Sequence, residues 1–210
     1  MSETDGLRER KKRQMYARLS DTAIALFLER GFEQVTVADV AAAVEVSKPT
    51  LFRYFPAKED LVLHRLADHE GEAGRVVAGR PAGLSPIEAL RRHFFDGLDR
   101  YDPVTGLNDR PEVLAFQRLL HGTPSLVARL YAYQERDEAV LAGVLGGPGG
   151  GVRARLAAGQ IIAVRRVLAQ ENWRRIAAGR TADSLKQEAV DIAEEGFAQL
   201  AAALPHLAQK

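Results

Sequence analysis

The stretch Val46-Ser-Lys-Pro-Thr-Leu-Phe-Arg-Tyr-Phe-Pro56 predicts a short helix whose surface is rich in polar and aromatic side chains. Ser47 is a favourable N-cap for this helix, and Pro56 cannot continue it. Leu51 and Phe55 are four residues apart, so they share one face and are expected to pack inward. The outward side is then left to Lys48, Pro49, Thr50, Arg53 and Tyr54.

A second short helix is predicted immediately before this one, over residues 37–44. Thr36 is its expected N-cap, with Asp39 three residues later in the capping-box position. The turn between the two helices is too short for an independent antiparallel pair. The pattern is therefore that of a helix-turn-helix, in which the second helix enters the major groove of DNA.

The outward side chains of the second helix suit contacts to DNA. A lysine such as Lys48 can donate to guanine, and the ring of Pro49 can contact a thymine methyl group. Hydroxyl and cationic groups can reach phosphates. The partner predicted from these residues is double-stranded DNA.

The N-terminal segment concentrates positive charge in a chain that is otherwise almost neutral. Lys and Arg total 29 and Asp and Glu total 28, so the overall charge favours no partner. The segment contains Arg8, Arg10, Lys11, Lys12, Arg13 and Arg18 against Glu9, a local net charge of +5. Two interpretations remain open: an arm that contacts phosphates, or a solvated, frayed terminus.

The rest of the chain has the periodicity of helices, which predicts an all-α fold of about nine helices. Further helices are expected near residues 8–30, 58–77, 85–101, 111–121, 124–145, 152–178 and 182–204. A glycine-rich linker is expected over 146–151. A three-helix DNA-binding domain over residues 1–57 would then be joined to a larger helical bundle over 58–210.

Composition excludes several classes of protein and site. The chain has no cysteine, so disulfides and thiolate chemistry are excluded. No apolar run is long enough to span a membrane, and we expect a cytoplasmic protein. His64 and His69, five residues apart on a helix, would point away from each other, so no metal site is predicted. No catalytic motif is present, and we expect neither an enzyme nor a cofactor.

The run GFEQVTVADVAAAVEVSKPTLFRYFPAKEDL, residues 31–61, resembles the DNA-binding domain of the TetR (tetracycline repressor) family of bacterial transcriptional regulators. The resemblance covers about the first quarter of the chain. It implies that Thr36, Tyr54 and Lys58 hold phosphates and that Lys48, Pro49 and Arg53 approach bases. The complete predicted DNA-binding set is Thr36, Ser47, Lys48, Pro49, Thr50, Arg53, Tyr54 and Lys58.

Two positions depart from the pattern of that family. Members usually carry glycine where this chain has Glu45, so the turn must form without the conformational freedom of glycine. Many members have tyrosine at the position of Phe52, for which we predict packing and no DNA contact.

The larger domain contains apolar and aromatic residues mixed with a few polar ones, which is typical of a small-molecule pocket. The lining residues proposed from sequence are Phe94, Phe116, His121 and Tyr131, for an apolar or amphipathic effector. The alternative interpretation of the same residues is an ordinary core with some surface aromatics.

The last two predicted helices carry wide apolar stripes, which predict a symmetric homodimer. The interface residues expected from these stripes are Leu156, Ala163, Val167, Leu185, Ile192 and Leu200. Such a dimer suits a palindromic operator.

These features favour a repressor that binds a palindromic operator as a dimer and is released by a small effector. The continuous helix expected over 58–77 would act as a lever between effector and DNA. The alternative is a helix-turn-helix regulator whose C-terminal domain docks a protein partner and has no effector.

Overall fold

The structure is a computed structural model that describes residues 3–147 and 151–209. Over those ranges the chain forms helices and turns with no β-strand, as predicted for an all-α fold. The linker predicted over 146–151 lies partly outside the described residues. The α-helices are α1 (Glu3–Arg30), α2 (Val37–Ala43), α3 (Lys48–Tyr54), α4 (Lys58–Leu63), α5 (Glu72–Ala78), α6 (Pro86–Asp99), α7 (Pro111–Gly122), α8 (Pro124–Gly146), α9 (Val152–Ala177), α10 (Ala182–Ala203) and α11 (Pro205–Ala208).

The chain forms two compact units, each with its own apolar core. The N-terminal unit runs from α1 to His69 and adds Ala115–Tyr131. The C-terminal unit comprises Glu70–Leu114 and the residues from Ala132 onward.

The core of the N-terminal unit is built on the second half of α1. Leu19, Ala23 and Phe27 recur every four residues, and all three are buried. They belong to the same apolar cluster as Leu51 and Phe55 of α3. Burial of these side chains is the main force that fixes the short helix α3, which is too brief to be stable alone.

The segment predicted as one helix over 58–77 is interrupted, so that prediction is wrong. A 3₁₀ helix (His64–His69) follows α4, and Gly71 then takes a left-handed conformation, φ +69°, before α5 begins. The carboxylate of Asp137 on α8 accepts the Gly71 N–H at 2.6 Å, which gives the free amide a partner. In a continuous helix the Gly71 N–H would donate to the carbonyl four residues earlier, and no residue could be left-handed.

The C-terminal unit is organised around α9 and α10, whose bounds lie within one residue of the prediction. Thr181 caps α10, accepting the Ser184 N–H at 3.3 Å. The loop after α6 packs directly on α9, and the side-chain amide of Asn172 donates to the Thr105 carbonyl at 2.9 Å. This loop fixes the position of α9 within the unit.

Candidate DNA-binding surface

The turn between α2 and α3 is formed without glycine, as its sequence requires. Glu45 adopts φ +59°, a left-handed conformation that costs an ordinary residue about 1–2 kcal/mol. The Val46 N–H donates to the Ala41 carbonyl at 2.9 Å and so closes the turn. The buried side chain of Val44 anchors it to the core. These neighbouring contacts therefore hold Glu45 in a backbone conformation that is unfavourable for a non-glycine residue.

The first turn of α3 begins at the predicted cap. The Ser47 hydroxyl accepts the Thr50 N–H at 3.2 Å and lies 2.8 Å from the Thr50 hydroxyl oxygen. Ser47 and Thr50 thereby satisfy each other at the start of the helix. This cap fixes the first turn of α3, which contains Lys48 and Pro49.

The two faces of α3 differ as predicted. Leu51 and Phe55 are 0% and 3% exposed, whereas Lys48, Pro49 and Arg53 are exposed. The exposed residues occupy one continuous side of a helix that is held to its unit by the opposite side. This is the arrangement in which a helix can enter a groove without giving up its core contacts.

Phe52 does not pack as the sequence interpretation expected. Its side chain is 41% exposed, and the Lys48 ammonium lies 5.8 Å from its ring centroid. Because Leu51 already fills the inward position, the next residue is turned by about 100° toward solvent. Phe52 therefore joins Lys48 on the exposed side, where an aromatic ring can contact thymine methyl groups.

Thr36 is engaged in a complete capping box. Its backbone N–H donates to the Asp39 carboxylate at 2.7 Å, its hydroxyl donates to the same oxygen at 2.6 Å, and the Asp39 N–H donates back to the hydroxyl at 3.2 Å. The side-chain hydrogen bond from Thr36, followed by the backbone one, lowers the pKa of Asp39. Any phosphate bound by Thr36 must share donors with this carboxylate.

Tyr54 and Lys58, the other residues assigned to phosphate, both make contacts within the N-terminal unit. The Tyr54 ring lies edge-on to Tyr16 of α1 with centroids 5.0 Å apart. The Lys58 ammonium donates to the Phe32 carbonyl and lies 4.1 Å from the Phe32 ring centroid. Lys58 has further N–H donors, but its position is set by these internal contacts.

The helix-turn-helix of this structure coincides with a match to a known family. Residues 19–64 match the bacterial regulatory proteins of the tetR family. Residues 19–64 therefore form a DNA-binding domain of the tetR family. The family match spans all of α2 and α3 together with the core residues of α1 that hold them.

Relatives of the chain extend this similarity beyond residue 64. It is 34% identical over 142 residues to the HTH-type transcriptional regulator TcmR of Streptomyces glaucescens, covering 67% of this chain and 62% of TcmR. It is 32% identical over 87 residues to the HTH-type transcriptional repressor KstR of Rhodococcus jostii, covering 41% of each chain. The chain thus spans less than two thirds of the curated relatives it matches.

The crystal structure of NalD shows a similar fold. NalD is the secondary repressor of the MexAB-OprM multidrug efflux pump in Pseudomonas aeruginosa, and it aligns with a TM-score of 0.55 over 88% of this chain and 97% of NalD. At 14% identity the likeness concerns the fold alone.

The four residues proposed to line an effector pocket do not form one cluster in this structure. Phe94 is buried in the core of the C-terminal unit, and Phe116 is buried in the core of the N-terminal unit. Tyr131 is 56% exposed. His121 is half-buried, and burial lowers its pKa. Aromatic composition alone could not separate core from pocket residues.

The predicted dimer residues divide into two groups. Leu156 and Val167 on α9 are 60% and 54% exposed, and Ala163 and Ile192 are half-buried. Leu185 and Leu200 on α10 are buried in the core of their own chain, so their assignment to the interface is wrong. The apolar stripe of α10 is wide because this helix packs against both α6 and α9.

A polar cluster that sequence reasoning missed lies inside the C-terminal unit. It joins the first turn of α5 to three other helices. The Arg165 guanidinium lies 3.2 Å from the Glu72 carboxylate, and His93 Nε2 lies 3.8 Å from the same carboxylate. Asp137 holds the adjacent Gly71 N–H. The residues are separated along the sequence, so only the fold brings them together.

Burial sets the chemistry of this cluster. It raises the pKa of Asp137 and lowers the pKa of His93, which favours the neutral form of both side chains. The Arg165 Nε atom is buried and, among the described residues, donates to no acceptor. A buried donor of this kind can serve a bound polar group.

Two other classes of site are not seen in the described part of the chain. No described helix is long and apolar enough to cross a bilayer. Residues 3–147 and 151–209 bring together no group of three or more His, Cys, Asp or Glu side chains that could hold a metal ion.

Proposed function

We propose that the chain is a DNA-binding transcriptional repressor that binds a palindromic operator as a homodimer and releases it when a small molecule binds. The observation that carries the proposal is the two-sided helix α3, buried through Leu51 and Phe55 and exposed through Lys48, Pro49, Phe52 and Arg53. The match of residues 19–64 to the tetR family supports the DNA-binding part of this proposal.

Direct reading of bases is assigned to the start and middle of α3. Lys48 and Pro49 occupy the first turn, which reaches deepest into the major groove in this class of motif. Phe52 is one turn further along on the same side as Lys48, and its exposed ring adds an apolar contact. Arg53, which is also exposed, keeps its assignment to a base edge, and Tyr54 at the end of the helix is assigned to a phosphate.

Lys48→Ala tests this assignment. We expect it to cost about 1–3 kcal/mol at the preferred site and to relax discrimination at one base pair, because a donor to a base edge is removed. The operator would first be selected from random duplexes, and binding would be measured by fluorescence anisotropy on the selected site and its single-base variants.

Tyr54→Phe is the matched control. It keeps the ring contact with Tyr16 but removes a hydroxyl assigned to phosphate, so all duplexes should weaken by the same factor. Unchanged affinity and unchanged base preference in Lys48→Ala would show that α3 is not docked as proposed.

The homodimer is supported by the outer side of α9. Val152, Leu156 and Val167 are all more than half exposed, and Gly159 and Ala163 lie between them in sequence. These positions follow one side of the helix, where small residues allow a second helix to approach closely. α9 carries six arginines against one glutamate, whereas α10 carries five acidic residues against one lysine. Part of this opposite charge is paired within one chain, as in the 2.7 Å contact of Arg175 with Glu188, so the dimer proposal rests on the exposed apolar side of α9.

The effector is assigned to the C-terminal unit, at the polar cluster of Glu72, His93, Asp137 and Arg165. All four residues are half-buried, and the pKa values of His93 and Asp137 are shifted by burial, as is common at ligand sites. The cluster holds Gly71, which lies two residues after the chain leaves the N-terminal unit. A ligand that changes the contacts of Gly71 would act on the segment between the 3₁₀ helix and α5. This segment takes the place of the continuous helix expected from sequence.

The effector proposal predicts reciprocal coupling. A compound selected by thermal shift from an apolar and amphipathic library should bind more weakly when operator DNA is present. A tenfold loss of DNA affinity corresponds to about 1.4 kcal/mol of coupling, and linkage requires the same factor on the compound. Isothermal titration with and without operator measures both.

Equal affinity of the compound in both titrations would exclude induction by that compound. If no compound of the library shifts the melting temperature, the competing function gains support, in which the C-terminal unit docks a protein partner. A variant with Arg165→Met separates the cases, since it should abolish binding of a compound held by this cluster and leave a surface docking site unchanged.

A further inference from the structure

The first turns of α1 carry a charged surface that the helix-turn-helix does not use. Every described side chain from Gly6 to Gln14 is exposed, so this part of α1 contributes no side chain to the core of its unit. It contains Arg8, Arg10, Lys11, Lys12 and Arg13 against Glu9. In the described ranges, none of these five cations forms an ion pair. We refer to residues 8–13 as the basic segment.

The basic segment is not explained by its contribution to stability. Arg8 and Lys12 are four residues apart on α1, a like-charge spacing whose cost of a few tenths of a kcal/mol is about equal to the gain from Glu9 and Arg13 at the same spacing. The segment buries no apolar side chain, and an exposed helical turn of this kind is marginal in water. A polyanion would neutralise the repulsion and stabilise the helix.

The position of the basic segment is fixed relative to α3. Tyr16, one turn after Lys12, lies edge-on to Tyr54 at 5.0 Å and to Phe55 at 5.1 Å between ring centroids. Lys12 and Arg13 therefore lie about 4–6 Å along the helix axis from a residue in direct contact with the end of α3. The basic segment lies on the N-terminal side of Tyr16, and the core residue Leu19 lies on its C-terminal side.

We infer that the basic segment is a second DNA contact surface, which binds phosphates flanking the base pairs read by α3. This inference rests on the proposed function, because it takes the position of the DNA from α3. An anionic membrane would require an apolar face beside the charges. Leu7 is the single large apolar side chain from Gly6 to Gln14, so the segment lacks such a face.

The test is the salt dependence of binding by the full-length protein. K11Q/K12Q is compared with K11R/K12R, which keeps both charges. Each variant is measured on two duplexes, one that ends at the selected operator and one extended beyond it by random sequence. On the extended duplex, K11Q/K12Q should lower the slope of log affinity against log salt by about 0.9 for each phosphate that the variant no longer neutralises. K11R/K12R should match the wild-type slope, and E9Q should steepen it.

The extended duplex should bind the wild-type chain more tightly than the short one, whereas K11Q/K12Q should bind both alike. Base preference should be the same for all variants. Hydrogen exchange of amides 6–14 should slow when the extended duplex is added. An unchanged slope in K11Q/K12Q, or a wild-type chain indifferent to the extension, would overturn the inference. A wild-type chain with no preferred sequence would overturn the proposed function instead, and its slope on random DNA would still report the basic segment.

Discussion

Gly106→Ala should unfold or severely destabilise the C-terminal unit, by about 3–5 kcal/mol. A Cβ atom at this position would lie 1.9 Å from the Ala169 carbonyl oxygen and 3.0 Å from the Trp173 nitrogen, both backbone atoms of α9. Overpacking costs about 1–3 kcal/mol when side chains can move, and here the obstacle is a helix backbone. The left-handed φ of +73° adds about 1–2 kcal/mol for alanine.

Gly83→Ala is the matched control for the backbone term. Gly83 has φ +82°, and an added Cβ would meet no described atom within 4 Å. It should therefore cost only about 1–2 kcal/mol. Chemical denaturation followed by circular dichroism measures the difference between the two variants. Equal stabilities would mean that the loop can move away from α9 without destabilising the fold.

The helix-turn-helix could be predicted from sequence in detail because its signals are local. The caps Thr36 and Ser47, the stop at Pro56 and the four-residue spacing of Leu51 and Phe55 each act within one helical turn. Short-range rules of capping and helix periodicity therefore located α2 and α3 and their two faces. The strained turn at Glu45 was also visible, as the absence of a glycine.

The errors arose where contacts between distant residues decide the structure. The break between α4 and α5 depends on Asp137, which is 66 residues from Gly71 and leaves no mark on the local periodicity. The contact that positions Lys58 is likewise distant in sequence, because the carbonyl that accepts its hydrogen bond belongs to Phe32, 26 residues earlier. The polar cluster around Glu72 is formed by residues of four helices, and no local sequence motif predicts it.

The apolar stripes of the last two helices show the same limitation in another form. An apolar stripe indicates that a helix face is buried. It does not indicate whether the face is buried by the same chain or by a second copy. On α10 the cover is intramolecular, and Leu200 is 3% exposed. On α9 the apolar side includes Leu156 at 60% exposed. Exposure in the folded protomer therefore locates the surface available to a partner, and it changes the residue at which the dimer should be tested.

Leu156→Asp combined with Val167→Asp should produce monomers that fold normally but bind the operator about 10²–10⁴-fold more weakly, because the second half-site no longer binds intramolecularly. Both side chains are more than half exposed, so the new carboxylates would be solvated in the monomer. In the proposed dimer they would be buried in an apolar contact, which costs free energy. A charge at Leu200 would instead destabilise the protomer itself. Sedimentation velocity measures the mass, and anisotropy measures operator binding.

The matched control is Leu28→Asp, an exposed leucine of α1 with 44% exposure that lies in the N-terminal unit. It introduces the same charge on an exposed helix side and should leave the dimer intact. The double variant should also keep the binding of the wild-type chain to a single half-site, since α3 is untouched. That result would separate loss of dimerisation from loss of the DNA surface. A double variant that remains dimeric would place the subunit interface on another surface, and the spacing of the two α3 helices would then have to be derived from that surface.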